Sequence, residues 1–217
     1  MKKREIMTLV SLYAIFIIFT IIVKAVDVQA IGPMGSEVGL ASLNRLMLNS
    51  GNINQTLYKI TEVLGYISLL VCVFFGIVGL LQIIQRKSIK KVDPDILLLG
   101  GFYIVVLAFY ALFEKVIINY RPVIMDEGLE ASYPSSHTML VVCVMSTAII
   151  QIGGRISDVR LKNVLKAAAI VVTGIMVAGR LLCGVHWLTD IIGGILLSLA
   201  LIYTYYLLYN KCKGNEA

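Results

Sequence analysis

The sequence has 217 residues, of which 59% are hydrophobic and 15% are charged, and its mean hydropathy is +0.88. Such a chain has too few polar residues to cover the surface of a soluble domain, so it is predicted to be an integral membrane protein. The net charge of +6 comes from 19 Lys and Arg against 13 Asp and Glu, and we interpret it as a topology signal and not as nucleic-acid binding. The four cysteines show no CxxC spacing, which indicates neither a disulfide framework nor a zinc site.

The chain begins with a basic stretch, followed by an apolar run over Ile6–Val26 that is long enough to span a bilayer. A cleaved signal peptide is the alternative, because Val28-Gln29-Ala30 resembles a cleavage site. The apolar run is longer than the usual core of a signal peptide, which favours a retained anchor. Residues 27–57 have mixed polarity, and they are predicted to lie outside, either as an interfacial helix or as a plain loop.

Five further apolar segments follow and are predicted to be membrane spans. They cover Tyr58–Ile84, Pro94–Phe113, His137–Ile152, Val164–Ala178 and Trp187–Tyr209. The sequence therefore predicts an all-α, polytopic membrane protein in which residues 1–217 form one six-helix bundle.

Basic residues are unevenly distributed along this pattern. Of the 19 Lys and Arg, 13 fall at the two termini and in the loops after the second and fourth spans. Because basic residues accumulate in cytoplasmic loops, both termini are predicted to lie in the cytoplasm of a cell-membrane protein. Lys115, Arg121 and Arg180 belong to the remaining six, and topology does not explain them.

Three polar groups fall at the predicted outer ends of the helices, and they contain the only two histidines of the chain. Arg121-Pro122 follows the third span, Pro134-Ser135-Ser136-His137 opens the fourth, and residues 180–190 join the fifth span to the sixth. Chance would scatter such groups over both faces of the bundle. They are therefore predicted to form one site.

The spacing within these groups indicates phosphate chemistry. Asp190 follows His186 by four residues, so on a helix it can accept the imidazole N–H and fix the tautomer of a candidate nucleophile. Arg180 precedes His186 by six residues and can offer a planar guanidinium to an oxyanion such as phosphate. Ser135 and Ser136 open a predicted helix, whose first N–H groups bind anions.

Each group also has an ordinary interpretation. The serines with His137 can be a helix cap beside an interfacial histidine, and His186 with Asp190 can be a structural pair. An ionised side chain costs about 2.5–3.5 kcal/mol at the centre of a membrane span, which favours a functional role for Asp190. A divalent metal held by His137, His186 and Asp190 is a further alternative, but the nearby basic side chains would repel it.

Together the motifs resemble the signature of the type 2 phosphatidic acid phosphatase (PAP2) family. That signature has three parts: a lysine followed by Arg-Pro, then Pro-Ser-Gly-His, and then Ser-Arg, five residues, His, three residues and Asp. The stretches Arg121-Pro122, Pro134-Ser135-x-His137 and Arg180-x5-His186-x3-Asp190 match it. Membrane members of the family have six helices, so the resemblance extends to most of the chain.

Three positions depart from the family pattern. Glu114 stands seven residues before Arg121, where the family lysine is expected, and Lys115 follows one place later. Ser136 replaces a glycine, which adds a hydroxyl where phosphate approaches the backbone. Gly179 replaces a serine, which removes one hydrogen bond to phosphate.

The resemblance implies metal-independent hydrolysis of a phosphate ester or anhydride through a phosphohistidine, with no cofactor. It implies that His186 is the nucleophile, that Asp190 orients it, and that His137 protonates the leaving group and then activates water. The residues implied to bind phosphate are Arg121, Arg180, Ser135, Ser136 and Lys115.

The expected substrate is a lipid phosphate of the outer leaflet, and Trp187 beside His186 is predicted to anchor the site at the level of the headgroups. In a bacterium, undecaprenyl diphosphate is the first candidate; phosphatidylglycerol phosphate and phosphatidate fit as well. A non-catalytic lipid-phosphate binder or flippase on the same fold is the alternative. It is disfavoured because binding requires cations but not a nucleophile with an acid. No motif predicts an oligomeric state.

Overall fold

The computed structural model describes residues 2–47, 53–125 and 128–214. Within these ranges the chain forms seven α-helices and two short 3-10 turns, at Pro33–Gly35 and Ile89–Lys91. The helices are α1 Lys3–Ala25, α2 Ala41–Arg45, α3 Gln55–Arg86, α4 Pro94–Lys115, α5 Ser136–Arg155, α6 Val159–Leu182 and α7 Leu188–Gly214. All of them except α2 are long and apolar enough to cross a membrane, which confirms the predicted all-α fold with six spans.

Helices α5 and α7 form the centre of the bundle. In their most apolar windows 56% and 50% of the residues are buried, against 11% in α1 and in α3. Helix α1 packs against α7, and α3 and α6 pack against α5. The outward sides of the peripheral helices expose large apolar side chains, as expected for surfaces that face lipid. Examples are Ile21, Leu70, Ile104 and Ile170.

Helix α6 begins earlier than the hydropathy pattern predicts. It starts at Val159, five residues before the predicted start, and the loop before it shrinks to residues 156–158. The Asp158 carboxylate caps the helix by accepting a hydrogen bond from the Leu161 N–H at 2.7 Å. Polar side chains in the first turns of α6, such as Arg160, are exposed and do not interrupt it. Hydropathy therefore underestimates the length of this helix.

In its described residues, 27–47 and 53–54, the segment before α3 forms a loop with one short α-helix, α2, and no long interfacial helix. An isolated antiparallel bridge pairs Gln29 with Val38 and folds the segment back on itself. Val38 and Ala41 are fully buried, so this part of the segment packs into the protein. Residues 48–52 of the predicted outer loop lie outside the described residues.

Two glycines of α7 allow the start of α5 to approach closely. The Tyr133 ring fills the space that a Cβ at Gly193 would need, and a Cβ at Gly194 would lie 3.0 Å from the Ser135 carbonyl oxygen. The Tyr133 hydroxyl is 2.7 Å from the Thr20 hydroxyl, which links this contact to α1. The close packing brings the loop before α5 against the first turn of α7, where two of the sequence motifs meet.

Candidate active site

The three motifs meet at one end of the bundle, which we call the histidine end. His186 Nδ1 lies 3.6 Å from Asp190 Oδ2, and Glu62 of α3 joins Arg180 to His137. Arg121 interacts electrostatically with both histidines. Their positions at helix ends predict this grouping, and the fold brings the three motifs together from separate parts of the chain, with Glu62 of α3 as a fourth part.

A serine stands between His186 and Asp190. Their 3.6 Å separation is too long for a good hydrogen bond, because α7 begins at Leu188 and His186 lies before its first turn. The Ser132 hydroxyl donates to Asp190 Oδ2 and lies 3.0 Å from His186 Nδ1. Since its one proton is given to the carboxylate, the Ser132 oxygen accepts from Nδ1–H. The direct hydrogen bond predicted from the spacing is therefore replaced by a serine bridge.

This bridge determines the chemical state of His186. A proton on Nδ1 leaves Nε2 without one, and Nε2 is buried with no hydrogen-bond partner among the described residues. Burial lowers the pKa of His186 well below its usual value of 6.5, and the charges of Arg121 and Arg180 lower the pKa further. His186 is consequently neutral near pH 7, with a free lone pair on Nε2. That form of imidazole is a nucleophile.

Asp190 is held by several donors. The Trp187 backbone N–H donates to its carboxylate at 2.9 Å, and the Asn119 side chain donates at 3.4 Å. Asn44 of α2 accepts from the neighbouring Thr189 N–H at 3.1 Å, which fixes the first turn of α7. Asn44, Asn119 and Ser132 were not singled out from the sequence. Of these, only Ser132 had a local signal, its position two residues before the Pro134-Ser135 motif.

The two arginines differ in how far their guanidinium groups are paired. Arg180 is fully buried, and its Nε and Nη1 atoms have no partner among the described residues. Its guanidinium carbon lies 5.2 Å from the centre of the Tyr58 ring. Arg121 Nε lies 3.0 Å from Glu130 Oε2, but the two atoms are not aligned as a hydrogen bond. Buried donors without acceptors are costly, and an anion such as phosphate would satisfy them.

The remaining predicted phosphate contacts fall into two groups. Ser135 is buried and caps α5, where its Oγ accepts from the Thr138 N–H at 3.4 Å, and Ser136 is the first residue of that helix. Lys115 is the last residue of α4, exposed, and without a hydrogen bond or ion pair to any described residue. Glu114, at the expected lysine position, is exposed as well. Ser135 lies in the cluster, because its backbone N–H also donates to the Asp190 carbonyl at 3.0 Å, whereas no contact between described residues ties the Ser136 or Lys115 side chain to it.

Helix α3 contributes residues that the sequence analysis missed. Glu62 Oε1 accepts from Arg180 and lies 3.4 Å from His137 Nε2. Thr61 explains why glycine stands at position 179, where the family pattern has serine. A Cβ at Gly179 would lie 2.5 Å from the methyl carbon of Thr61. A signal for Glu62 was present: it is an ionisable residue inside the predicted second span, where such residues are costly and mark functional sites.

Trp187 does not anchor the site at the membrane surface as predicted. Its side chain is buried, and its indole N–H donates to the Tyr120 carbonyl at 2.7 Å. A tryptophan can be buried in this way because its polar N–H finds a partner. The contact fixes the backbone next to Arg121 and so helps to position one of the two arginines.

An apolar groove between α4 and α5 leads to the histidine end. Its volume is about 210 Å³, and apart from Tyr110 of α4 its polar members lie in the turn of α5 that carries His137. The lining residues are Val106, Leu107, Tyr110, Ser136, His137, Met139 and Leu140. Because both helices are predicted spans, the groove runs from the lipid-facing side of the protein to the candidate acid.

Comparison with known proteins gives two matches. The model of the PAP2 superfamily matches residues 67–213, which is more than half of the chain and contains all three motifs. Among solved structures, a transmembrane PAP2-type phosphatidylglycerolphosphate phosphatase from Bacillus subtilis has a similar fold, with a TM-score of 0.65. The match covers 94% of this chain and 96% of that chain at 19% sequence identity. No curated protein matches the sequence.

Proposed function

The chain belongs to the PAP2 superfamily and is a membrane phosphatase, and on this premise we propose that it hydrolyses a lipid phosphate or diphosphate through a phosphohistidine on His186. One observation carries the proposal. His186 Nε2, His137 Nδ1 and two nitrogens of Arg180 are all buried and unpartnered in the described part of the chain. These atoms are of the kinds that a nucleophile, an acid and an oxyanion site require.

In the first step, His186 Nε2 attacks phosphorus, and the bond between phosphorus and the leaving oxygen breaks as the phosphorus–nitrogen bond forms. The proton of His137 passes to the leaving oxygen, which departs as an alcohol or as a lipid monophosphate. Arg121 and Arg180 interact with the phosphoryl oxygens, on which charge is redistributed in the transition state. Asp190, through Ser132, stabilises the positive charge that develops on His186.

In the second step, water attacks phosphorus and gives one proton to His137, which now acts as a base. The phosphorus–nitrogen bond breaks, inorganic phosphate leaves, and His186 is restored. A phosphohistidine is stable in alkali and labile in acid. Brief reaction with ³²P-labelled substrate, followed by an alkaline quench, should therefore leave label on the wild-type chain and none on the His186→Ala variant.

The groove between α4 and α5 supports a lipid as the substrate. An apolar chain in this groove would place a phosphate headgroup beside His137 without leaving the membrane. Undecaprenyl diphosphate is our first candidate. Phosphatidylglycerol phosphate is the second, because the Bacillus subtilis protein of similar fold is named for that activity.

The direct test measures phosphate release by the full chain in nanodiscs from undecaprenyl diphosphate, phosphatidylglycerol phosphate, phosphatidate and water-soluble glycerol 3-phosphate. We expect hydrolysis of at least one lipid and little of glycerol 3-phosphate, with His186→Ala as the inactive control. Equal rates for glycerol 3-phosphate would remove the lipid requirement. Lipid binding without any hydrolysis would favour the non-catalytic binder or flippase.

We propose that no metal takes part, because arginines supply the positive charge. Among the described residues, no three His, Cys, Asp or Glu side chains are placed to hold a metal ion. Activity should survive exhaustive dialysis against EDTA. Loss of activity that zinc or magnesium restores would contradict this part of the proposal.

The histidine end is proposed to face outward. In a cysteine-free background, Ile124→Cys lies in an exposed loop at this end, and Ser157→Cys lies in the exposed α5–α6 loop at the other. A membrane-impermeant maleimide should label the first variant in intact cells and the second only after lysis. The reverse pattern would place the site in the cytoplasm and exclude lipids of the outer leaflet.

A further inference from the structure

Glu62 lies outside the three motifs and before the range that the family model matches. We infer that Glu62 is a positioning residue: it orients His137 so that Nδ1 exchanges the proton with the substrate, and it holds Arg180 beside that proton. The inference concerns the site of the proposed function and rests on it.

The geometry centres on one carboxylate oxygen. Glu62 Oε1 accepts a hydrogen bond from Arg180 Nη2 and lies 3.4 Å from His137 Nε2. Gly65, about one turn further along α3, lies against the same imidazole, because a Cβ there would be 3.5 Å from its Cδ2 atom. Helix α3 thus contacts the ring at two places.

This contact assigns different tasks to the two nitrogens of His137. Because Nε2 faces the Glu62 carboxylate at 3.4 Å, a proton on Nε2 is favoured electrostatically and stays in place during both chemical steps. Nδ1 is buried and without a partner in the described residues, so it is the nitrogen that can give a proton to the leaving oxygen. It then takes a proton from the attacking water. Without Glu62 the ring can flip or change tautomer, and the acid is lost in part of the molecules.

The charges around His137 give a second reason for the carboxylate. The charged or titratable groups that act on His137 are Arg180, Glu62, His186 and Arg121. Glu62 is the anion in that set. An acid must be protonated before it can donate. Burial and the charges of Arg180 and Arg121 oppose a positive ring on His137, and the negative charge of a carboxylate acts against them. Glu62 provides that charge and leaves two nitrogens of Arg180 unpaired for phosphate.

A different role must be separated from this one. Glu62 can be only a counter-ion that keeps the buried Arg180 in place, with no effect on His137. In that case its loss weakens phosphate binding for every substrate alike. If Glu62 positions the acid, its loss matters most when the leaving group is poor, because a good leaving group needs no proton.

The activity test compares a lipid phosphate, whose leaving group is an alkoxide, with p-nitrophenyl phosphate. Glu62→Gln should lower kcat for the lipid on the order of 10²-fold, the scale of a misplaced catalytic group, and lower kcat for the aryl ester by less than about threefold. In a His137→Ala background, Glu62→Gln should add little further loss, because the two residues act as one unit. Glu37→Gln, at an exposed glutamate in the loop before α2, is the matched control.

Equal losses for both substrates, carried mainly by KM, would reduce Glu62 to a counter-ion of Arg180. Unchanged kinetics with both would remove any role. If the wild-type chain hydrolyses neither substrate, the proposed function itself fails.

If the wild-type chain hydrolyses neither substrate, an NMR measurement still tests the inference about Glu62. In a His186→Gln variant, His137 is the only histidine, and ¹⁵N-histidine NMR reports which ring nitrogen carries the proton. With Glu62 present, we expect the tautomer protonated on Nε2, and with Glu62→Gln a mixture. An identical spectrum for the two variants would overturn the inference, whatever the enzyme hydrolyses.

Discussion

Both ends of the bundle combine an arginine with buried polar groups, yet among the described residues only one of these two ends leaves such groups unpaired. At the end of α5 opposite its histidine, roughly 30 Å away along the helix, Arg155 donates to both carboxylate oxygens of Asp95, at 2.9 and 2.8 Å. Its Nε donates to Gln151, and Gln151 in turn donates to the Tyr205 hydroxyl at 2.7 Å. We call this end of the bundle the Arg155 end, and its hydrogen-bond network joins α4, α5 and α7.

At the histidine end the corresponding atoms have no partners. His137, His186 and Arg180 each keep at least one buried nitrogen that no other described residue satisfies. A folded protein does not gain stability from such atoms, because burial removes their hydrogen bonds to water. The comparison teaches that burial of charge alone does not mark a site. Buried polar atoms that lack hydrogen-bond partners do mark a site. They distinguish groups that bind a ligand from groups that stabilise the fold.

The largest expected effect comes from removing the nucleophile. His186→Ala should lower turnover by roughly 10⁴–10⁶-fold, the scale for loss of a catalytic nucleophile. Its thermal midpoint should fall only by what the lost packing of the buried ring and the lost contact of Nδ1 with Ser132 contribute, because Nε2 forms no hydrogen bond in the described part of the chain. Phosphate release and a thermal melt in detergent measure the two quantities. An alanine variant that keeps more than a small fraction of the activity would show that the comparison assigns the nucleophile wrongly.

The Arg155 end should respond in the opposite way. Arg155→Ala leaves the fully buried Asp95 carboxylate with Lys213, at 3.6 Å, as its remaining charge partner among the described residues. Removing one partner of a fully buried pair costs about 3–5 kcal/mol. The expected loss is smaller here, because the Arg155 side chain is partly exposed and Lys213 compensates in part. Denaturant unfolding in detergent should show the loss, while kcat of the folded enzyme stays near that of the wild type. Arg160→Ala, at an exposed position on α6, is the control.

Ser132→Ala sharpens the comparison within the histidine end, because this residue is paired on both sides. Removing the hydroxyl disconnects His186 from Asp190 and leaves the ring free to change tautomer. We expect kcat to fall by about 10–10²-fold with little change in KM, because Ser132 contacts the nucleophile and not the phosphate site. Ser157→Ala, at an exposed position, should behave as the wild type. A loss confined to KM would mean that the serine binds substrate.

The smallest effect is a shift of one titration. In a His137→Gln variant, His186 is the only histidine, and NMR can follow its protonation. Burial and two arginines favour the neutral ring, so the pKa of His186 should lie below 6.5, and the nucleophile should stay neutral as the pH falls from 7 to 6.5. Replacing Arg121 by Gln should raise the midpoint toward 6.5. A midpoint at or above 6.5 in the His137→Gln variant would contradict the described environment.

The sequence alone predicts the helices and the site residues that belong to a motif. Long apolar runs predict six spans because a bilayer imposes length and hydrophobicity on each helix by itself. The spacing of Arg180, His186 and Asp190 indicated phosphate chemistry for a similar reason, since the three residues are close in the chain. The start of α6 was missed because exposed polar side chains continue a helix beyond its apolar run.

The rest of the site could not be predicted because it depends on contacts between distant segments. Ser132 bridges to His186 across 54 residues, Asn44 reaches Thr189 across 145, and Glu62 reaches Arg180 across 118. No local pattern encodes such contacts. The direct hydrogen bond between His186 and Asp190 was expected from helical spacing, and it failed because the helix starts two residues later.

The contact between Thr61 and Gly179 couples the side chains that these two positions accept. A Cβ at position 179 would lie 2.5 Å from the Thr61 methyl carbon, so a serine at position 179 requires one of the two side chains to shift. Gly179→Ser alone should therefore destabilise the protein. Gly179→Ser combined with Thr61→Ser should be tolerated better, because the second change removes the methyl group and keeps the hydroxyl that donates to the Tyr58 carbonyl at 2.7 Å. A single methyl group on α3 thus decides which residue α6 can carry next to Arg180.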